Sequence, residues 1–246
     1  MNSWLIDFGN TRLKCAPLAA DGRCGPVQAF AASDREALDG LLRILGQAKT
    51  GDRVWLASVA TPERSEALAS AIAGQGYLVR RVQTMVQCGN LRIAYAEPLR
   101  LGVDRFLAML ALLQRDDGPW LIASVGSAMT VDLLDVDGRH HGGLIAPTPT
   151  HMREALAARF PQLDLADGQA VDFADNTADA VASGARAAAI GLVERSLRTA
   201  QERLGVRPTL LLTGGGADAL TAVVAGEYLP APVLDGLAIF AGIAEP

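Results

Sequence analysis

The residues with chemistry to offer begin at Asp7-Phe8-Gly9-Asn10-Thr11-Arg12-Leu13-Lys14, directly after the apolar run Trp4-Leu5-Ile6. A Gly-Asn pair between two β-like runs reads as a hairpin turn. Gly9 lets the backbone turn and present N–H groups. Asn10 and Thr11 add small polar side chains there, and Lys14 adds a cation close by. Asp7 ends the first strand and sets a carboxylate at the mouth of the turn. Backbone N–H donors suit phosphate oxygens, and a carboxylate suits a hydrated divalent metal. An ordinary hairpin with a surface Asp and Lys has the same letters, and one short glycine motif does not separate the two.

A second copy does. Residues 121–134 read Leu-Ile-Ala-Ser-Val-Gly-Ser-Ala-Met-Thr-Val-Asp-Leu-Leu, again an apolar strand, a turn of glycine and hydroxyl (Gly126, Ser127), and an apolar strand. Both copies then reach an Asp-Gly-Arg, at Asp21-Gly22-Arg23 and at Asp137-Gly138-Arg139. Each Asp-Gly is expected to turn the chain into a third strand. Such a repeat, one per half, reads as a duplicated domain. It resembles the actin-like ATPase superfamily, whose two ribonuclease H-like α/β domains each offer a hairpin turn to ATP in an interdomain cleft. The expected domains are 1–117 and 118–246, with the break at Asp116-Asp117-Gly118-Pro119.

The elements that hold these turns follow from periodicity and breakers. Ser33 with Glu36 forms a capping box for a helix to about Ala48, with Leu38, Leu41, Leu42 and Leu45 on one face. Arg53 to Val59 reads as a buried strand, and Thr61-Pro62 starts a helix that Gly74-Gln75-Gly76 stops. Tyr77 to Val82 reads as a strand. Residues 88–100 read as irregular, with Gly89-Asn90 and Glu97-Pro98 as breakers. Leu101-Gly102-Val103-Asp104-Arg105 opens a helix to about Gln114. An acid in a first helical turn satisfies the helix dipole, which leaves the adjacent Arg105 unexplained.

Farther on, His140-His141 reads as a solvated strand edge rather than a metal pair, since no cysteine partners lie nearby. Pro149 to Arg159 is expected to be helical, and 161–175 a loop rich in Asp and Gly. Asn176-Thr177-Ala178-Asp179 caps an Ala-rich helix over about 178–203, whose Ala182, Gly184, Ala185 and Ala188 permit close packing. A strand at 208–213 runs into Gly214-Gly215-Gly216. Three consecutive glycines favour a place where a flat ligand meets the backbone over a flexible connection. Leu234-Asp235-Gly236-Leu237 starts a closing helix.

Composition excludes several classes. The chain has 246 residues, half of them hydrophobic, with 22 basic against 27 acidic residues. The net charge of −5 without a basic stripe argues against a nucleic-acid partner. Three cysteines, Cys15, Cys24 and Cys88, lack metal-like spacing and are odd in number, so reduced thiols and a cytoplasmic protein are expected. No basic-then-apolar opening suggests a signal peptide, and no apolar run is long enough to span a membrane.

Taken in order, the motifs resemble the type III pantothenate kinase family over nearly the whole chain. Asp7-Phe8-Gly9-Asn10-Thr11 through Lys14 matches its first phosphate motif. Tyr95 with Gly102-Val103-Asp104-Arg105 matches its substrate tyrosine and its G-x-D-R signature, the most specific of the set. Gly126-Ser127-Ala128-Met129-Thr130-Val131-Asp132 matches its second phosphate motif; Gly142-Gly143 with Pro147, Asn176-Thr177 and Thr213-Gly214-Gly215 also fit. The resemblance implies ATP-dependent phosphorylation of pantothenate in coenzyme A synthesis, in a homodimer.

It implies Asp104 as general base, and Tyr95, Gly102, Val103, Arg105 and Thr177 as substrate-binding residues. Asp7, Phe8, Gly9, Asn10, Thr11, Arg12, Leu13, Lys14, Ser127, Gly214 and Gly215 would bind ATP, with Mg²⁺ oriented through water by Asp7. The family's second motif usually carries an Asp where this chain has Ser124. That Asp binds a monovalent cation, K⁺ or NH₄⁺, so a weakened cation site is expected. Two other readings share the fold: a non-catalytic accessory factor, related to those named for toxin expression, and another actin-like small-molecule kinase or phosphatase.

Overall fold

The computed structural model describes residues 2–32, 35–115, 118–163, 168–221 and 224–244. The chain divides into two units. One comprises Met1–Asp116, Asp137–His140 and Ala231–Pro246, the other Asp117–Val136 and His141–Pro230.

In the first unit, β1 (Ser3–Phe8), β2 (Arg12–Leu18) and β3 (Gln28–Ala31) form an antiparallel meander. After α1 (Arg35–Leu45), β4 (Arg53–Ser58) joins β1 in parallel; after α2 (Pro62–Gly74), β5 (Leu78–Arg81) joins β4. The sheet order is β3-β2-β1-β4-β5. Strand alternation sorts its faces. Ile6, Phe8, Leu13, Cys15, Val54 and Leu56 pack with Leu41 and Leu45 of α1 and with Leu68 and Ile72 of α2. The other face packs against two helices, α3 (Val103–Leu112) and a late one described below. Ser33, expected to cap α1, lies outside the described residues. The helix stops three residues short of the expected end because Gly46 takes a positive φ of 64°. α2 starts at Pro62 as expected, and the Thr61 side chain caps it by accepting from the Arg64 N–H.

The stretch 88–100 is less irregular than its sequence suggests. Gly89-Asn90 is the turn of a small ribbon of β6 (Gln87–Cys88) and β7 (Leu91–Arg92).

The second unit repeats the first. Strands β8 (Trp120–Val125), β9 (Met129–Leu134) and β10 (His140–Ala146) form the meander. Then come α4 (Pro149–Arg159), the long α5 (Thr177–Leu204), β11 (Thr209–Thr213), the single turn α6 (Asp218–Thr221) and β12 (Glu227–Tyr228). The order β10-β9-β8-β11-β12 is that of the first sheet. Its core joins Leu121, Ala123, Val125, Met129 and Val131 to Ala189, Val193 and Leu197 of α5. The Asn176 side chain caps α5 by accepting from the Asp179 N–H, and Gly205 ends it with φ 72°. The closing helix α7 (Pro232–Ala244) starts two residues before the expected Leu234 and packs on α3, β1, β2 and β4 of the first unit.

Candidate active site

The first phosphate-type turn is held at its base by the β1–β2 ladder, in which Asp7 pairs with Lys14 and Phe8 with Leu13. Alternation sends Phe8 and Leu13 into the α1–α2 core and leaves Asp7 and Lys14 on the face toward α3. The Gly9 N–H donates to the Arg12 carbonyl at 2.9 Å, so it closes the turn and is not one of the donors the turn presents outward. Asn10 and Thr11, at the tip, are exposed. Arg64, which no motif singles out, braces this tip. Its guanidinium donates to the carbonyls of Asn10 at 3.2 Å and Ala32 at 2.8 Å and lies 5.0 Å over the Phe8 ring.

Asp104 stands in the first turn of α3. Its Oδ1 accepts from the Arg105 N–H at 2.8 Å. Gly102, the residue before the helix, makes room for that carboxylate: a Cβ on Gly102 would lie 2.5 Å from Asp104 Oδ1. The two carboxylates feel each other. Burial pushes the Asp7 carboxyl up to about 7, the nearby charge of Asp104 adds to the rise, and Lys14 opposes it. Two carboxylates and a lysine on one side of a phosphate-type turn suit a site that receives a cation together with an anionic ligand. Among the described residues no group of three or more His, Cys, Asp or Glu could hold a metal ion directly. A hydrated Mg²⁺, which keeps most of its waters, asks for no such group, so Asp7 with Asp104 beside it fits that metal.

Arg105, the next residue, is only 7% exposed. Its Nη1 donates to the Tyr95 hydroxyl at 3.2 Å, and its guanidinium lies 5.8 Å from the Tyr95 ring centre. The structure thus brings together two of the residues the G-x-D-R reading assigned to substrate. His140 corrects an expectation. It is not part of a solvated edge but 1% exposed, stacked on Tyr95 with ring centres 6.1 Å apart and planes 18° apart. His141 is not solvated either: its Nε2 bonds to Asp135 Oδ2 at 2.7 Å, and both side chains are largely covered. Two adjacent polar residues on a strand face opposite ways, and sequence alone does not say which neighbours cover them.

In the second unit the corresponding turn is one residue shorter, closed by Gly126 N–H to the Ala128 carbonyl at 3.0 Å, with Ser127 within it. Ser124 pairs with Thr130 on β9 and with Thr213 on β11. Paired residues share a face, so three neutral hydroxyl residues form a row where the first unit has Asp7 and Lys14. Asp132 pairs with Ile122, which puts it on the same face as Ser124, one inward step farther from the turn. It is 2% exposed. A row of neutral hydroxyls does not fit a cation held by a carboxylate at position 124.

The triple glycine has a packing reason. Gly214 has φ 93°, and a Cβ there would collide with the Val125 backbone at the end of β8. The Gly216 N–H donates to the Val125 carbonyl at 3.0 Å. Only Gly215 is exposed. Thr177 is the exposed first residue of α5.

A model of the type III pantothenate kinase family matches residues 4–199. Over 246 residues the chain is 46% identical to a type III pantothenate kinase of Stenotrophomonas maltophilia, covering 98% of each chain. It is likewise 46% identical over 246 residues to a type III pantothenate kinase of Xanthomonas axonopodis pv. citri, covering 100% of this chain and 99% of that one. Among solved structures it resembles the activator of the 2-hydroxyisocaproyl-CoA dehydratase from Clostridium difficile with bound ADPNP. That match has a TM-score of 0.52 at 13% identity, over 99% of this chain and 94% of that one, and it shows the shared fold.

Proposed function

Because the chain belongs to the type III pantothenate kinase family, we propose that Asp7, Tyr95, Asp104 and Arg105 of its first unit carry the family's reaction. The enzyme phosphorylates pantothenate with ATP, giving 4'-phosphopantothenate for coenzyme A biosynthesis. The observation that supports these assignments is the placement of Asp104 on α3. On one side is the carboxylate of Asp7, and in the next position Arg105 turns to Tyr95.

Phosphoryl transfer asks the protein for position and charge rather than covalent chemistry. Asp104 takes the proton from the primary hydroxyl of pantothenate as the γ-phosphoryl group arrives. Arg105 offers a planar fork of donors to a substrate oxygen or the pantothenate carboxylate, and Tyr95 and Thr177 complete the substrate contacts. By the family's motifs, residues 8–14 of the first unit are assigned to ATP phosphates; in the second unit the same motifs assign Ser127 to phosphate and Gly214 and Gly215 to adenosine. Asp7 would hold a hydrated Mg²⁺ through its waters, and the metal would supply positive charge against the phosphates. With Ser124 in place of a carboxylate, K⁺ or NH₄⁺ has at most a weak site.

We also propose a homodimer in the cytoplasm. On α4 none of the residues is buried; Leu156 is exposed, as is Phe160 just after the helix. Gly184, Ala187, Ala188 and Gly191 form an exposed stripe of small residues on α5, and Leu144 and Ile145 are exposed on β10. Apolar surface of this kind marks association. Among the described residues, no helix is long and apolar enough to cross a membrane.

A coupled assay of ADP formation with and without pantothenate tests the activity. Pantothenate-dependent ADP, with 4'-phosphopantothenate as product, is expected. ADP formation indifferent to pantothenate would point to another actin-like enzyme, and none at all to an accessory factor.

A further inference from the structure

The Tyr95 segment is tied to the strand that carries His140. The Arg92 N–H donates to the Gly138 carbonyl at 2.9 Å, and Arg92 bridges Arg139 in parallel. Two residues on, a continuing ladder would offer Ala94 a backbone carbonyl. Instead the Ala94 N–H meets the ring nitrogen Nδ1 of His140, at a long 3.5 Å. The same ring stacks on Tyr95 from the side chain's flank, and the Tyr95 hydroxyl accepts from Arg105. One imidazole therefore fixes both the backbone just before Tyr95 and the plane of its ring.

We propose that His140 is a positioning residue for pantothenate, holding Tyr95 so that its hydroxyl stays on Arg105. This rests on the assignment of Tyr95 and Arg105 to the pantothenate site. His140 acts through Tyr95. Without the ring, Tyr95 keeps its hydroxyl but loses the wall that sets its direction, and Arg105 loses a fixed partner. The consequence falls on pantothenate, not on ATP, because the ATP-side residues of the first unit, Asp7 and the Gly9–Lys14 turn, are built on β1 and β2.

The test is steady-state kinetics on the full-length enzyme with His140→Ala, His140→Phe, His140→Asn, Tyr95→Phe and the double variant His140→Ala/Tyr95→Phe. The phenylalanine variant keeps a stacking ring without the acceptor, and the asparagine variant keeps an acceptor near the Nδ1 position without the ring. For His140→Ala we expect KM for pantothenate to rise about three- to tenfold, the worth of a stacked aromatic pair, with KM for ATP unchanged. The phenylalanine and asparagine variants fall between it and the parent, and serve as the test should the alanine variant fail to fold. The double variant is expected to be no worse than the poorer single one, since both act through the same contact. If Tyr95→Phe leaves KM for pantothenate unchanged, the assignment of Tyr95 fails. If Tyr95→Phe raises it and the His140 variants do not, or if their effects simply multiply, the positioning role of His140 is overturned. A fall in melting temperature with KM for both substrates moving together would make His140 a packing residue and overturn the proposal as well.

Discussion

The Asp7 carboxyl is raised by its surroundings, and its titration has a sign that can be checked. Its carboxyl sits at about 7 against an ordinary 3.8. Below that ordinary value both the folded and the unfolded chain hold the proton, and Asp7 leaves stability unchanged. Between the two values only the folded chain holds it, so stability falls as pH rises, and the full penalty stands above 7. Asp7→Asn removes the titration. Its melting temperature relative to the parent is expected to be higher at pH 8 than at pH 5, by several degrees, in the absence of nucleotide. A difference that stays constant across that range would contradict the account. Ser124 gives the second prediction at this scale. A neutral hydroxyl is a poor ligand for a bare cation. Titrating KCl against choline chloride at fixed ionic strength should leave turnover nearly flat, and Ser124→Asp should gain K⁺ dependence. A strong, saturable activation of the parent by K⁺ would sink this reading. Asp7, Asp104 and Arg105 were legible in the sequence as letters in motifs. Their juxtaposition was not, and His140 was misread, because what covers a strand residue is decided by segments distant in sequence.

At the scale of elements, the duplicated meander could be read from the chain because each copy is local: strand, glycine turn, strand, Asp-Gly turn. The observed orders β3-β2-β1-β4-β5 and β10-β9-β8-β11-β12 share one topology. The helix start at Thr61-Pro62 and the cap at Asn176 were legible for the same reason. The glycines after β11 were not, since their partner Val125 lies far back in the sequence. A side chain at Gly214 meets both a positive φ and the Val125 backbone. Gly214→Ala is therefore expected to cost more than about 1 kcal/mol in urea unfolding, beyond the ordinary gain from removing a glycine. An unchanged midpoint would show that the loop can shift away without loss.

At the scale of the molecule, the return of residues 137–140 and 231–246 to the first unit has no local signature. It is nevertheless what brings His140 to Tyr95 and α7 to α3. The exposed apolar residues of α4 and β10 and the small-residue face of α5 are the surface on which the proposed homodimer rests. Light scattering at micromolar concentration should give twice the 25.7 kDa chain mass. A fully active monomer would refute the dimer.

The central claim is that Asp104, set at the head of α3 between Asp7 and Arg105, is the base that draws the proton from pantothenate. The most direct test is the rate of pantothenate-dependent ADP formation by Asp104→Asn, measured beside the parent at saturating ATP and pantothenate, with thermal melting to confirm the fold. A fall of roughly 10²–10⁴-fold with an intact fold is the expected result, the usual worth of a positioned general base. Turnover close to the parent's would contradict it and remove Asp104 from the chemistry.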